Sequence, residues 1–194
     1  MTAEPFVASL ARWQNFYVIV GSSAGALSGL QFVVMTLIAE ARISSSMREV
    51  RAFGSPTIVH FCVALLISAI ASAPWNALSG PAVALEVCGI GGVTYSLRTM
   101  SHAKRQTGYQ PDLEDWIWYG WAPLVTYGVL ALAALLLART TILGLFMVAG
   151  SSLALLFIGI HNSWDTVTYI AVQRPKAEKE SPQQREGGRK KRPG

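Results

Sequence analysis

Five long apolar stretches, separated by short polar segments, follow one another along the chain. They cover residues 15–38, 57–78, 81–98, 116–138 and 141–165. Each approaches or exceeds the roughly 20 residues that a helix needs to cross a bilayer. The third is the least apolar because it contains Glu86 and several glycines. The pattern predicts an all-α fold, an integral membrane bundle of five transmembrane helices within residues 15–172.

Composition agrees with this prediction. The chain is 52% hydrophobic and only 14% charged, whereas about a quarter of the residues of a typical soluble domain are charged. The charges also lie mainly between the apolar stretches and in the last twenty residues, so the net charge of +5 describes a tail and no binding face. Cys62 and Cys88 lie inside apolar stretches, which favours small buried residues over a disulfide.

The connections between the stretches predict how neighbouring helices pair. Proline, serine and glycine break the chain at residues 74–81, and Arg139 with two threonines separates the last two stretches. Both connections are short. We therefore expect two antiparallel hairpins, one from the second and third stretches and one from the fourth and fifth.

The distribution of positive charge predicts the orientation. With five spans, fourteen of the sixteen lysines and arginines fall on one side of the membrane, which is the bias of cytoplasmic segments. This places the N-terminus outside and the C-terminus in the cytoplasm, and the expected location is a bacterial inner membrane. The first stretch is longer than the apolar region of a signal peptide, so we expect it to be a true membrane helix.

The segments before and after the bundle differ from it in composition and in expected structure. Residues 1–14 form an extracytoplasmic segment in which residues 3–13 suggest an interfacial helix. Residues 173–194 are polar and basic, which predicts a disordered cytoplasmic tail, with contact to anionic lipid as an alternative to a purely solvated role. An aromatic belt marks the start of the fourth span, formed by Trp116, Trp118, Tyr119 and Trp121.

Small residues recur at helical spacing inside several spans. The stretch GSSAGALSG places Gly21, Gly25 and Gly29 four residues apart, and Gly89 and Gly92 lie on one face of the third span. Small residues allow membrane helices to approach closely, and such contact drives helix association where apolar burial gains little. The glycines therefore predict either packing within the bundle or an interface in a homo-oligomer. In the second alternative, one of these small-residue faces lines either the interface between subunits or a pore.

A few polar side chains fall inside the predicted spans, where they are costly and suggest function. These candidates for an ion or solute pathway are Gln31, His60, Glu86, His161, Asn162 and Asp165. His161 and Asp165 are four residues apart and so share a helix face. Three interpretations of the inner group stay open: a water-filled vestibule holding protons or cations, a haem or transition metal bound by His60 and His161, and a structural hydrogen-bond network.

No soluble-enzyme motif occurs in the sequence. There is no phosphate-binding glycine loop, GxSxG, paired-cysteine motif, HxxxH or HExxH, so no cofactor is predicted. Nor do the basic residues have the interleaved aromatics of a nucleic-acid binder. We expect an oligomeric channel or transporter for a small ion or solute, with the lipid bilayer and a second copy of the chain as partners. The alternatives are an accessory subunit of a larger membrane complex, a haem or metal protein, and an intramembrane enzyme.

Overall fold

A computed structural model describes the backbone of residues 9–40, 47–104, 113–137 and 139–189, and the side chains of most of these. All regular structure in these ranges is helical, which confirms the all-α class. Five long helices follow one another: α1 (Gln14–Glu40), α2 (Met47–Ser72), α3 (Ser79–Lys104), α4 (Ala122–Leu137) and α5 (Thr141–Arg189). One α-helical turn (Leu113–Asp115) and a π-helical segment (Trp116–Trp121) lead directly into α4.

Of the described helices, three are long and apolar enough to cross a membrane. They cover Gln14–Thr36, Leu113–Leu137 and Thr141–Thr168. The apolar part of α2 that has described side chains, Pro56–Ser72, is shorter, since those of residues 47–55 are outside the described set and the helix ends before residues 73–78. Helix α3 is long enough but is not apolar enough to be counted with these three. A membrane location is therefore supported, while five spans and their orientation stay predictions.

The helices pack in an order that differs from the chain order. Helix α1 packs on α2, α2 packs on α5, α5 packs on α4, and α4 packs on α3. The expected hairpin of α4 and α5 is present. Helices α2 and α3 touch only slightly, so the expected hairpin between them is not a packed pair. The reason lies in α3, because its Gly89 and Gly92 fit against α4.

The hydrophobic core lies where α2, α4 and α5 meet, with α1 packed against α2 at its edge. Fully buried side chains from each helix fill it, including Phe61 and Ile67 of α2, Leu130 of α4 and Leu155 of α5. The opposite faces of the helices carry exposed leucine, valine, isoleucine and phenylalanine. An apolar exterior is what a lipid environment requires, so the two sides of each helix are consistent with a bundle in a bilayer.

The glycines of α1 have different surroundings. A Cβ added at Gly21 would lie 2.9 Å from Ser68 Cβ of α2, so Gly21 is a point of close helix contact. A Cβ added at Gly25 or Gly29 would meet no described atom within 4 Å. Packing within the bundle therefore accounts for Gly21 and leaves Gly25 and Gly29 unexplained.

This difference predicts opposite effects of one substitution at two positions. Gly21→Ala should lower the free energy of unfolding by about 1–3 kcal/mol, because Ser68 Cβ is fixed to its helix and cannot swing away. Gly25→Ala should raise it by up to about 1 kcal/mol through helix propensity. Unfolding of both variants in mixed detergent micelles measures the pair. Equal effects would show that Gly21 does not limit the approach of α1 to α2.

The ends of the bundle add two observations. The backbone of α5 is helical to Arg189, and the disordered tail expected from residue 173 stays a prediction. At the other end, Leu10 and Trp13 pack on the core, and the Trp13 ring lies edge-on to Phe146 with centroids 4.7 Å apart. Residues 3–8 of the expected interfacial helix lie outside the described residues.

Candidate functional site

A buried histidine–tyrosine pair joins α2 to α4 inside the bundle. His60 is 1% exposed, and its Nδ1 lies 3.0 Å from the Tyr127 hydroxyl, within hydrogen-bond distance. Tyr127 is fully buried as well. The other ring nitrogen, His60 Nε2, is buried and has no hydrogen-bond partner among the described residues. A buried polar atom without a hydrogen-bond partner is unusual in a folded core, so a partner for His60 Nε2 is expected.

Two glycines make room for the rings around this pair. Gly92 of α3 lies directly against the Tyr127 ring, and Gly159 of α5 lies directly against the ring of Phe61, the neighbour of His60. A Cβ at either position would overlap the aromatic ring it faces. The positions of both rings therefore depend on glycine in the facing helix, and so does the alignment of Tyr127 with His60.

Asn162 of α5 is another buried residue whose polar side-chain atoms have no hydrogen-bond partner among the described atoms. The residue is fully buried, and within the described structure neither Nδ2 nor Oδ1 of its side chain makes a hydrogen bond. Its backbone carbonyl accepts hydrogen bonds from Thr166 Oγ1 at 2.8 Å and from the Tyr119 hydroxyl at 3.3 Å. The backbone is thus satisfied, and the amide side chain retains two donors and an acceptor for another molecule.

Gln31 brings α1 to the same region. It is 9% exposed, and its Nε2 donates to Ser163 Oγ of α5 at 3.0 Å. Ser163 in turn donates to the Gly159 carbonyl at 2.8 Å. Together with the groups above, this pair defines what we call the polar core, formed by Gln31, His60, Tyr127, Asn162 and Ser163. Four of the five helices contribute to it.

The members of the polar core lie at similar heights in the bundle. Helices α2 and α5 run antiparallel, and the contact of Phe61 with Gly159 sets their alignment. His60 therefore lies level with residue 160, and Asn162 is two residues further along α5. At 1.5 Å per residue the two side chains differ by about 3 Å along the helix axis.

Two side chains predicted from the sequence lie at the rim of the polar core. The His161 ring stacks on Trp118, with centroids 3.9 Å apart and planes 19° from parallel. Its Nε2 is 3.9 Å from Glu114 Oε1. One turn further along α5, Asp165 Oδ2 accepts a hydrogen bond from the Tyr119 hydroxyl at 3.3 Å. Both residues thus face the segment that leads into α4, and this group forms an aromatic and acidic rim.

The two histidines that the sequence suggested as metal ligands have different neighbours. His60 is enclosed with Tyr127, while His161 is partly exposed and stacked on Trp118. No group of three histidine, cysteine, aspartate or glutamate side chains suited to a metal occurs in the part of the chain that the structure describes. The geometry therefore gives no support to a shared metal or haem site.

Glu86 lies apart from the polar core. It is on α3, toward the end of the bundle opposite the rim, and its partly buried side chain has one buried oxygen, Oε2, without a hydrogen-bond partner among described atoms. Buried hydroxyls of Tyr17, Ser96 and Ser151 are in the same state. Among the described residues no hydrogen bond joins these groups to one another.

Sequence reasoning missed Tyr127, Ser163 and Trp118 as members of the site. A lone tyrosine in the middle of an apolar stretch was the available signal for Tyr127, because a buried hydroxyl needs a partner and His60 is among the few available. The stacking of Trp118 on His161 depends on the π-helical segment, which the sequence did not predict.

Comparisons of this chain with protein-family models, with curated proteins and with solved structures found no match. The function must therefore be argued from the geometry of the polar core and its rim.

Proposed function

We propose that this is a five-span inner-membrane protein that passes a small ion or solute through the polar core. The observation that carries the proposal is the unpartnered state of His60 Nε2 and of the Asn162 amide, both fully enclosed by the described residues. Hydrocarbon offers such groups no hydrogen bonds, and in a lipid environment each unpaired polar group costs on the order of several kcal/mol. A transient polar occupant would remove that cost.

The five-span topology belongs to the same proposal. The apolar part of α2 has 17 residues, Pro56–Ser72, and at 1.5 Å per residue it is about 26 Å long, close to the thickness of the hydrocarbon layer. Helix α3 has 26 residues, and its Gly89 and Gly92 are covered by α4. The distribution of lysine and arginine then places the C-terminus in the cytoplasm and the rim on the cytoplasmic side.

In this arrangement the rim is the cytoplasmic entrance of the pathway, and the polar core is the next binding site along it. His161 and Asp165 lie at the entrance, and His60 and Asn162 lie behind it. Beyond them the centre of the bundle is filled by apolar side chains such as Leu130 and Ile67. Passage to the outer side, where Glu86 lies, therefore requires these helices to move, which favours a gated or alternating device over a permanently open pore.

The direct test is flux through purified protein in liposomes. Potassium, protons and small neutral solutes are offered in turn, and the rates are compared with those of empty liposomes. Wild-type protein should conduct at least one of them, and His60→Phe should reduce that flux about tenfold or more, because the unpartnered nitrogen is lost. His102→Phe, at an exposed site on α3, is the matched control and should leave the flux unchanged.

The absence of any flux above that of empty liposomes would refute the transport proposal. Flux that persists in a folded His60→Phe protein would show that the route does not use the polar core. Elution of each variant as a single species in mild detergent establishes that it is folded before the flux is compared.

An accessory subunit is the second candidate function, and a separate observation favours it. A Cβ added at Gly25 or Gly29 of α1 would meet no described atom within 4 Å, so a smooth surface is open at these two positions. Such a surface suits another membrane helix, from a second copy or from another protein. Native mass spectrometry of the protein in mild detergent distinguishes a homo-oligomer from a complex with other chains, and Gly25→Leu should dissociate either one.

A further inference from the structure

We infer that the polar core binds an uncharged, hydrogen-bonding solute, with the amide of Asn162 and Nε2 of His60 as its ligands. This inference rests on the proposed function and narrows it to one substrate class. Two features of the described residues carry it: the absence of fixed charge, and the hydrogen-bonding groups that have no partner.

The polar core contains no carboxylate, lysine or arginine among its described members, which are amides, hydroxyls and one imidazole. The nearby carboxylates, Glu114 and Asp165, lie on the rim, where both are solvent-exposed. Glu86 lies on α3 in the opposite half of the bundle. A cation stripped of its water inside a membrane needs an opposite charge or a ring of oxygen ligands. The polar core supplies neither.

The unused hydrogen-bonding groups match a solute with both donors and acceptors. Asn162 offers one acceptor and two donors from the same amide. If the Tyr127 hydroxyl donates to His60 Nδ1, then Nε2 carries the proton and donates; if Nδ1 donates, then Nε2 accepts. His60 can take either tautomer to suit the bound solute. Rotation of the Asn162 amide exchanges the positions of its donor and its acceptor. Amides, urea-like molecules and small polyols have this mixed character.

The experiment compares solute classes in the same proteoliposomes. Stopped-flow light scattering measures the entry of urea, acetamide and glycerol, while fluorescent indicators measure potassium and proton entry. Wild-type protein should speed the entry of at least one neutral solute about tenfold over empty liposomes and leave potassium entry at the background rate. Asn162→Leu should abolish most of the gain, since losing one or two hydrogen bonds of 1–1.5 kcal/mol each is worth roughly tenfold or more.

A matched control is available within the chain. Asn76→Leu makes the same substitution at an exposed position in the turn between α2 and α3 and should leave solute entry unchanged. If the leucine variant at position 162 cannot be recovered folded, Asn162→Ser removes the amide with a smaller change in shape, and it should also lower solute entry.

The outcomes separate this inference from the proposed function. Potassium or proton entry without neutral-solute entry would overturn the inference and leave transport standing. No entry of any kind would overturn both. Solute entry that is unchanged in folded Asn162→Leu and Asn162→Ser would remove the polar core as the binding site.

Discussion

Gly92→Ala should destabilise the protein by about 1–3 kcal/mol and disturb the polar core, because the added methyl group overlaps the Tyr127 ring. The ring cannot move aside easily, since it is fully buried between helices and held to His60. Either α3 separates from α4 or Tyr127 turns away from the histidine. In both cases the free energy of unfolding falls, and the flux attributed to the polar core falls with it.

The neighbouring residue provides the control for this substitution. Gly91 is exposed, and a Cβ there would meet no described atom within 4 Å. Gly91→Ala should therefore be neutral or raise stability by up to about 1 kcal/mol, as alanine is the better helix former. Unfolding in mixed micelles and liposome flux give the two readouts. A stable, active Gly92→Ala protein would mean that α3 and α4 are not in close contact at this point.

Tyr127→Phe should destabilise the protein and Tyr17→Phe should not, although each removes a single buried hydroxyl. The hydroxyl of Tyr127 is paired with His60 Nδ1, and its removal leaves that nitrogen buried without a partner. The cost is about 1–3 kcal/mol. The hydroxyl of Tyr17 is buried and has no hydrogen-bond partner in the described structure. Its removal takes away an unsatisfied group and should be neutral or stabilising.

Denaturation of both variants under one set of conditions tests this pair, and a His60→Phe, Tyr127→Phe double variant completes the cycle. The double variant should recover part of the loss, because neither polar partner remains. A Tyr127→Phe protein as stable as the wild type would indicate that the 3.0 Å contact with His60 contributes no net energy.

The helices were predictable from the sequence because apolar length alone requires them. Long runs such as residues 141–165 have few other stable conformations in a membrane. The placement of His161 and Asp165 on one side of α5 was also predictable, because four residues make slightly more than one helical turn. Both contact the segment leading into α4.

The partners of the helices were not predictable in the same way. A small-residue face fits any other close-packing face, so Gly89 and Gly92 did not indicate whether α3 would pack on α2 or on α4. The short connection between α2 and α3 suggested the wrong partner. Likewise, the π-helical segment at Trp116–Trp121 has no distinct sequence signal, and the stacking of Trp118 on His161 depends on it. The polar core arises from these tertiary choices, so only its separate members could be identified beforehand.

The packing order of the helices also has a consequence for how the protein is made. During synthesis the ribosome delivers α1 and α2, which pack on each other, and then α3 and α4, which pack on each other. The two pairs have little contact until α5 arrives and binds both α2 and α4. His60 and Tyr127 belong to different pairs, so their hydrogen bond spans a boundary that only the last helix secures. A chain arrested before Thr141 would therefore consist of two helix pairs with little contact between them, because the helix that binds both is still missing.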